Sequence, residues 1–375
     1  MLSFWEHKHL LEYDLVVVGA GIVGLSTAIQ FKRKNPQAKV LVLERGIFPS
    51  GASTKNAGFA CFGSLTEILD DLSSMSPAEV FGLVEKRFLG LQAIRREFGD
   101  DALSYLPSGG FELFTEREMS ALEKIPEVNR LLHPLFGEDV FERLDSIQDF
   151  GFADSVLSVV KNKFEGELDT GKFFLALWEK SLSLDIKVIT GAKVLELDVV
   201  RTQVSVSDPV GSKPIVFSGN RIAVCTNAFA RQLVPDLDIK PGRGMVLTTK
   251  PLLRTIPWRG SFHYDKGYVY FRHLDGRLLI GGGRNLDFTG EETIAMGINP
   301  KLKVYLLGLI SEVVLPGQPV EIDMEWSGIM AFGASKIPIV KLIQPKIGIA
   351  VRLGGMGVAI GWQTAGELVA LFDQK

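Results

Sequence analysis

An apolar run over residues 13–18 leads directly into Gly19-Ala20-Gly21-Ile22-Val23-Gly24, and a second apolar run, 39–43, ends at Glu44. The order is strand, glycine turn, helix, strand, acid. It constrains the fold because each glycine has a physical job. Gly19 admits the tight turn off the strand, Gly21 lets the backbone approach a pyrophosphate, and Gly24 lets the helix pack near the sheet. The helix is predicted over about 22–34, stopped by Asn35-Pro36. Its N-terminus offers N–H groups and a partial positive charge to phosphates. Glu44 can accept hydrogen bonds from a ribose diol and would repel a 2′-phosphate. The segment reads as a dinucleotide-binding βαβ unit, which makes a redox cofactor the first expectation about chemistry. The bland alternative is a βαβ turn that holds no nucleotide.

Composition excludes several classes. A chain of 375 residues supports two domains, or one large domain with an insertion. Apolar residues make up 46% and charged residues 23%, and the formal charge is −3 from 41 basic and 44 acidic residues. No basic run or aromatic-basic interleaving marks a nucleic-acid surface, so no nucleic-acid partner is expected. Two distant cysteines, Cys61 and Cys225, suit a reducing compartment. No apolar run reaches the length of a membrane span, and no signal-peptide pattern opens the chain, so a cytoplasmic protein is expected. Phe4 and Trp5 are expected to dock on the protein's own core, the alternative being a partner. No metal site is expected; His7 and His9 lack neighbouring ligands. Oligomeric state is not readable from the sequence.

Along the chain, Ser76-Pro77-Ala78-Glu79 forms a capping box with proline at the first helical position, opening a long helix that Gly99 ends. A strand is predicted over 111–115 and a charged helical stretch over about 116–132. Strands follow at 186–189 and 194–199, and Ile222-Ala223-Val224-Cys225 reads as a buried parallel strand. Beyond about 235 the pattern alternates, and Asp275-Gly276 is a two-residue hairpin signal. A helix is predicted over 300–314. A strand over 347–351, then Gly354-Gly355-Met356-Gly357 and a closing helix, repeat the opening order of strand, glycines and helix.

The segments together resemble the D-amino-acid-oxidase-like flavoprotein superfamily, the group with glycine oxidase, sarcosine oxidase and D-amino-acid dehydrogenase. The resemblance runs along nearly the whole chain. Residues 13–24 with Glu44-Arg45 resemble the FAD-binding start, and Ser53-Thr54-Lys55-Asn56-Ala57-Gly58 the loop passing near pyrophosphate and flavin. The stretch 191–194, ending at Val194, resembles the strand set against adenine, and Cys225-Thr226-Asn227-Ala228-Phe229 the return toward the flavin. Pro241-Gly242-Arg243-Gly244, the segment 275–282 and Trp326-Ser327-Gly328-Ile329-Met330 resemble substrate-sheet motifs. Gly355-Met356-Gly357, with Val358 after it, resembles the closing glycines beside the flavin.

The resemblance implies an α/β fold with an α+β substrate lobe: a glutathione-reductase-like, FAD-binding Rossmann domain and an antiparallel-sheet substrate domain. The FAD domain is expected over 1–75, 151–234 and 326–375, and the substrate domain over 76–150 and 235–325. The implied activity is FAD-dependent oxidation of the C–N bond of an amino acid or secondary amine to an imine, by hydride transfer to flavin N5. Oxidation of a 2-hydroxy acid, an NAD-dependent dehydrogenase and a non-catalytic flavoprotein subunit stand as alternatives.

Departures from the family pattern limit the reading. Met330 stands where the amino-acid enzymes have a carboxylate-binding arginine, and Gly328 near the place of the cysteine that bonds flavin covalently. Non-covalent FAD is therefore expected. Two sarcosine-oxidase lysines fall near Leu279 and Ala359. Strand alternation places Tyr268, Tyr270 and Arg272 on one face. In the family this face lies toward the substrate, so Tyr268 or Tyr270 is expected to hydrogen-bond it. Arg272 is a candidate for the lost anion contact, the alternative being internal pairing. Arg352 is a candidate for cofactor phosphate, flavin O2 or substrate carboxylate, the alternative being a structural ion pair. His263 is a candidate base, the alternative being a structural histidine.

Overall fold

The opening strand forms as Glu12–Val18, the helix after the glycines as Ile22–Lys34, and the second strand as Val40–Leu43 in a computed structural model that describes residues 1–374. The chain divides into two units. The first takes residues 1–55, 170–242 and 329–375, the second 56–169 and 243–328.

In the first unit, Glu12–Val18 lies between Val40–Leu43 and Ile215–Val224, parallel to both. Lys187–Ile189 extends the sheet beyond Val40–Leu43, and Ile347–Val351 joins it beside Ile215–Val224. These parallel strands are apolar through most of their length; Val16, Leu41, Ile222 and Ile349 are fully buried in one core. Antiparallel Val194–Asp198 and Gln203–Val206 flank it. The closing helix Gly357–Leu371 packs on Ile22–Lys34, where Gln30 Nε2 donates to the Trp362 carbonyl at 2.9 Å.

The second unit holds an eight-stranded sheet. Its centre is a meander: Lys240–Thr249 pairs Arg277–Gly282, which pairs Val269–Leu274, which pairs Ser261–Tyr264, all antiparallel. One pair, Ser261–Tyr264 with Gly110–Phe114, is parallel. The Asp275-Gly276 hairpin closes as expected, both residues at positive φ (48° and 76°), the backbone a type I′ turn requires. Phe111, Phe262, Phe271 and Trp258 fill one face of the sheet. The long helix is Pro77–Phe98, capped by Ser76 and Glu79.

Several expectations need correction. Residues 56–75 and 151–169 sit in the second unit, because Phe59–Ala60 pairs with Gly166–Glu167 and Ser158–Asn162 is a strand of the second sheet. The stretch expected as one helix over 116–132 is a 3-10 helix, Glu116–Lys124, followed by an α-helix, Ile125–Phe136. Phe4 and Trp5 do not dock on the core: they lie 69% and 67% exposed on a short helix, Phe4–Leu10. Ser3 and Glu6 cap that helix reciprocally, and Trp5 stacks on His9 one turn later, so its contacts are local. Among the described residues, no helix is long and apolar enough to cross a membrane.

Candidate cofactor cradle and substrate face

The first unit gathers the glycine-rich segments of both chain ends. Gly19 N donates to the Leu43 carbonyl at 2.8 Å, which turns the chain off the strand. A Cβ on Gly24 would overlap the Gly19 carbonyl oxygen, so glycine is required where helix and turn meet. Glu44 is buried; its Oε2 accepts from Ala20 N at 3.0 Å and its Oε1 from Gly46 N at 3.0 Å. The carboxylate is thus fixed beside the glycine turn. Ser53 Oγ accepts from Ile22 N at 2.9 Å, bringing the loop after the second strand to the helix N-terminus. Thr54 Oγ1 donates to the Pro49 carbonyl at 2.8 Å and holds that loop's shape. The Arg45 guanidinium lies 3.6 Å from the centre of the Phe229 ring.

At the far end of the chain, the Gly357–Leu371 helix begins without a side-chain cap. Among the described residues, a Cβ on Gly355 or Gly357 would meet nothing within 4 Å beyond its own helix and chain neighbours. Thr226 Oγ1 is buried with no hydrogen-bond partner among the described residues, and a Cβ on Gly19 would lie 3.4 Å from its methyl group. Asn227 takes a left-handed backbone (φ 45°) and its Oδ1 accepts from Arg352 N at 3.0 Å. Val194 packs against the sheet core, and Val358 is buried in the closing helix.

The model of the FAD dependent oxidoreductase (DAO) family matches residues 14–371. The chain belongs to this family. It is 22% identical over 373 residues to the probable oxidoreductase OrdL of Haemophilus influenzae, covering 95% of this chain and 82% of that protein. Thiamine thiazole synthase of Yarrowia lipolytica is 29% identical over 135 residues, which span only 36% of each protein. Among solved structures, glycine oxidase from Geobacillus kaustophilus superposes with a TM-score of 0.77 at 18% identity, over 97% of this chain and 95% of that one. That likeness shows a shared fold.

The first unit fits the FAD its family uses. The open space beside Gly355 and Gly357 and the Thr226 hydroxyl lie in the same unit as the N-termini of two helices whose own N-cap residues, Gly21 and Met356, supply no side-chain cap, and an anionic group is favoured at such ends. Arg352 does not offer its guanidinium. It pairs with Asp238 through Nη1, and Nη2 donates to the Ile337 carbonyl at 2.8 Å. The structural ion pair is the arrangement present, and the Arg352 contribution at the turn is its backbone N–H on Asn227.

The second unit carries the candidate substrate face. Val269 and Phe271 point into the aromatic core, leaving Tyr270 and Arg272 on the opposite side of the Val269–Leu274 strand, while Tyr268, expected on that face, lies in the turn before the strand with its ring edge-on to Phe288. Tyr270 packs with Phe59, Leu274 and Trp326 around buried Ala57, Val246 and Leu279. Burial pushes its phenol up to about 12. Its hydroxyl makes no hydrogen bond to a described residue. Asn56 Oδ1 accepts from Gly58 N at 2.9 Å and shapes the loop carrying Ala57.

Arg272 is drawn away from this face. It is buried, and Nη1 donates to the carbonyls of Gly58 (3.1 Å) and Leu168 (3.0 Å). It joins two loops, which is the internal pairing held open above, and the anion-contact expectation for it is set aside. His263 is 4% exposed and sits among carboxylates. Its Nδ1 is 3.8 Å from Glu67 Oε2 and its Nε2 3.8 Å from Glu165 Oε2. Burial pushes the imidazole pKa down. An imidazole so enclosed is a structural group, not a base open to substrate.

Sequence reading missed the acids around it. Glu165 Oε1 accepts from Phe62 N (2.8 Å) and Gly63 N (3.1 Å), and burial raises its carboxyl to about 8. Glu112, raised to about 7 by burial, holds Ser64 and Thr66 at the start of the Leu65–Leu72 helix. No motif marks them, because their partners come from distant segments. Among the described residues, no cluster of His, Cys, Asp and Glu could hold a metal.

Proposed function

We propose that this family member oxidises the C–N bond of an amino acid or secondary amine to an imine, using non-covalent FAD. Bound FAD supplies the two-electron acceptor. Non-covalent attachment is supported by Gly328 at the place of the linking cysteine and by the burial of both cysteines present, Cys61 and Cys225. Two free thiols also support a reducing, cytoplasmic setting.

The observation that carries the reading is the Tyr270 face. Amine oxidation needs a neutral amine held where water is scarce, with a group to orient it. The cluster of Ala57, Phe59, Val246, Leu279 and Trp326 is apolar, and Tyr270 presents an un-ionised hydroxyl within it. Such a hydroxyl can accept from or donate to an amine without adding charge. No nucleophile is needed, since the bond broken is C–H and the electrons leave the substrate as a pair. Tyr268, in the turn just before this strand, is the second substrate contact.

Anaerobic mixing of the FAD-loaded protein with a panel of amino acids, secondary amines and 2-hydroxy acids tests this. Bleaching of the flavin by amines supports it. An absorbance spectrum left unchanged by every amine, or bleaching by hydroxy acids alone, overturns it. Reoxidation with air and with a quinone then identifies the electron acceptor.

A further inference from the structure

The first unit also has a recess at the edge of its sheet opposite the opening glycine turn. The Ile22–Lys34 helix starts after Gly21 and ends beside this recess, so the two lie about 20 Å apart, the length of its 13 residues. The recess measures about 690 Å³, a volume that suits a small molecule. Lys32 and Arg33 line it from the end of that helix, Lys39 from just before the Val40–Leu43 strand, and Lys187 from the start of Lys187–Ile189. The carboxylate in its lining is Asp185. Tyr13 also lines it; this residue is 7% exposed, packs on Phe217, and its hydroxyl makes no hydrogen bond to a described residue.

Helix ends account for part of this charge. Ile22–Lys34 and Thr170–Ser183 both finish at the recess, and cations are favoured near C-terminal carbonyls. Lys32 is committed locally, its Nζ donating to the Ala38 carbonyl at 2.7 Å. The Phe31 carbonyl accepts from Asn35 N at 2.9 Å and from Asn35 Nδ2 at 3.1 Å. Lys39 and Lys187 have no such task. They stand on neighbouring parallel strands, both are exposed, and neither ammonium pairs with a described residue. Asp14 does not neutralise them: its oxygens accept from Lys39 N at 2.8 Å and Asn220 Nδ2 at 2.9 Å. Each helix end carries about half a negative charge, so with Asp185 they leave the four cations an excess of about two positive charges. The chain as a whole has a formal charge of −3. A concave surface of one sign concentrates ions of the other.

We propose that this recess binds a phosphorylated small molecule, with Lys39 and Lys187 on its phosphate, as a ligand site separate from the cofactor cradle and independent of the C–N chemistry. The two unpaired cations are lysines, compact charges that suit phosphate, and not arginine forks that match a planar carboxylate. The charge excess suits an anion of about −2 or more, and the recess is larger than a bare phosphate fills. Pro36, Ala38, Val40 and Leu184 in the lining offer apolar surface to the rest of the molecule.

Calorimetric titration of the FAD-loaded full chain with inorganic pyrophosphate tests it, bound FAD keeping the glycine cradle filled. Saturable binding is expected. Lys39→Gln combined with Lys187→Gln should weaken it at least about tenfold, as loss of two charge-assisted contacts requires, with the flavin retained. Should that variant lose flavin, the two single substitutions, each expected to weaken binding about threefold, carry the comparison. Lys341→Gln removes the same charge from Ile339–Gln344, the strand at the other edge of the sheet, and should leave the affinity as it was. Sedimentation with vesicles of phosphatidylcholine and phosphatidylglycerol distinguishes a soluble phosphate from a lipid headgroup. The proposal is overturned by no saturable pyrophosphate binding, by an affinity that the lysine substitutions leave unchanged, by equal weakening in Lys341→Gln, or by binding to the anionic vesicles alone.

Discussion

The ring of Tyr270 lies over the backbone of Gly281, its partner across the hairpin: a Cβ on Gly281 would sit 2.7 Å from the ring and 2.7 Å from the Met245 carbonyl. Glycine there makes room for the aromatic face. Gly281→Ala is expected to destabilise the protein by about 1–3 kcal/mol through overpacking. Tyr270→Phe, which keeps the ring, should change stability by far less. Urea unfolding of the two variants checks the contrast.

Gly24→Ala drives a methyl into the Gly19 carbonyl. The turn and helix must separate, at a strain of about 1–3 kcal/mol, and the N–H groups at the helix N-terminus move with them. The expected result is a folded protein that loses flavin. The ratio of flavin to protein absorbance after desalting measures it, and full FAD retention would contradict the cradle.

The Glu291 side chain is wholly buried and bound by both prongs of Arg243, which is 14% exposed. Arg243→Ala leaves that carboxylate without its counter-charge and is expected to cost about 3–5 kcal/mol. Glu291→Gln added to Arg243→Ala should restore part of the loss. A double-mutant cycle by chemical denaturation separates this from the lost packing of the arginine stem.

Burial holds the Glu165 carboxyl at about 8 in the folded protein, against an ordinary value of 4.5. Between those values the folded protein keeps a proton that the unfolded chain has released. The contribution of Glu165 to stability is therefore fully present in acid and is lost as pH rises toward 8. Glu165→Gln retains a carbonyl oxygen for Phe62 N and Gly63 N but does not titrate. The unfolding free energy of the unsubstituted protein relative to this variant should fall across the window from 4.5 to 8 and level off beyond it. A difference that stays flat, or rises, would show Glu165 ionised when folded.

The parts of the fold legible in the sequence were those set by neighbours in the chain. The Ser76 cap, the glycine turn, the end of the Ile22–Lys34 helix at Asn35 and the Asp275-Gly276 hairpin each depend on a few adjacent residues. The alternation over 269–272 also gave the two faces of its strand, because a strand's side chains follow a period of two, while Tyr268 falls in the turn before it. The destination of a long charged side chain is different. Arg352 finds Asp238, 114 positions away, and Arg272 reaches a carbonyl 214 positions away. Nothing local encodes those partners. Glu165 and His263 meet for the same reason, through strands and loops that the topology brings together.

The first unit is assembled from three separate stretches of chain, and its sheet needs Ile347–Val351 beside Ile215–Val224. On the ribosome the Gly19–Gly24 turn is made before any of the second unit, while the glycines at 354–357 are made after its last stretch. The second unit closes at 328, before them. The two glycine segments of the first unit are thus made on either side of the whole second unit, and the nascent chain carries the earlier turn through the synthesis of that unit before the matching half arrives.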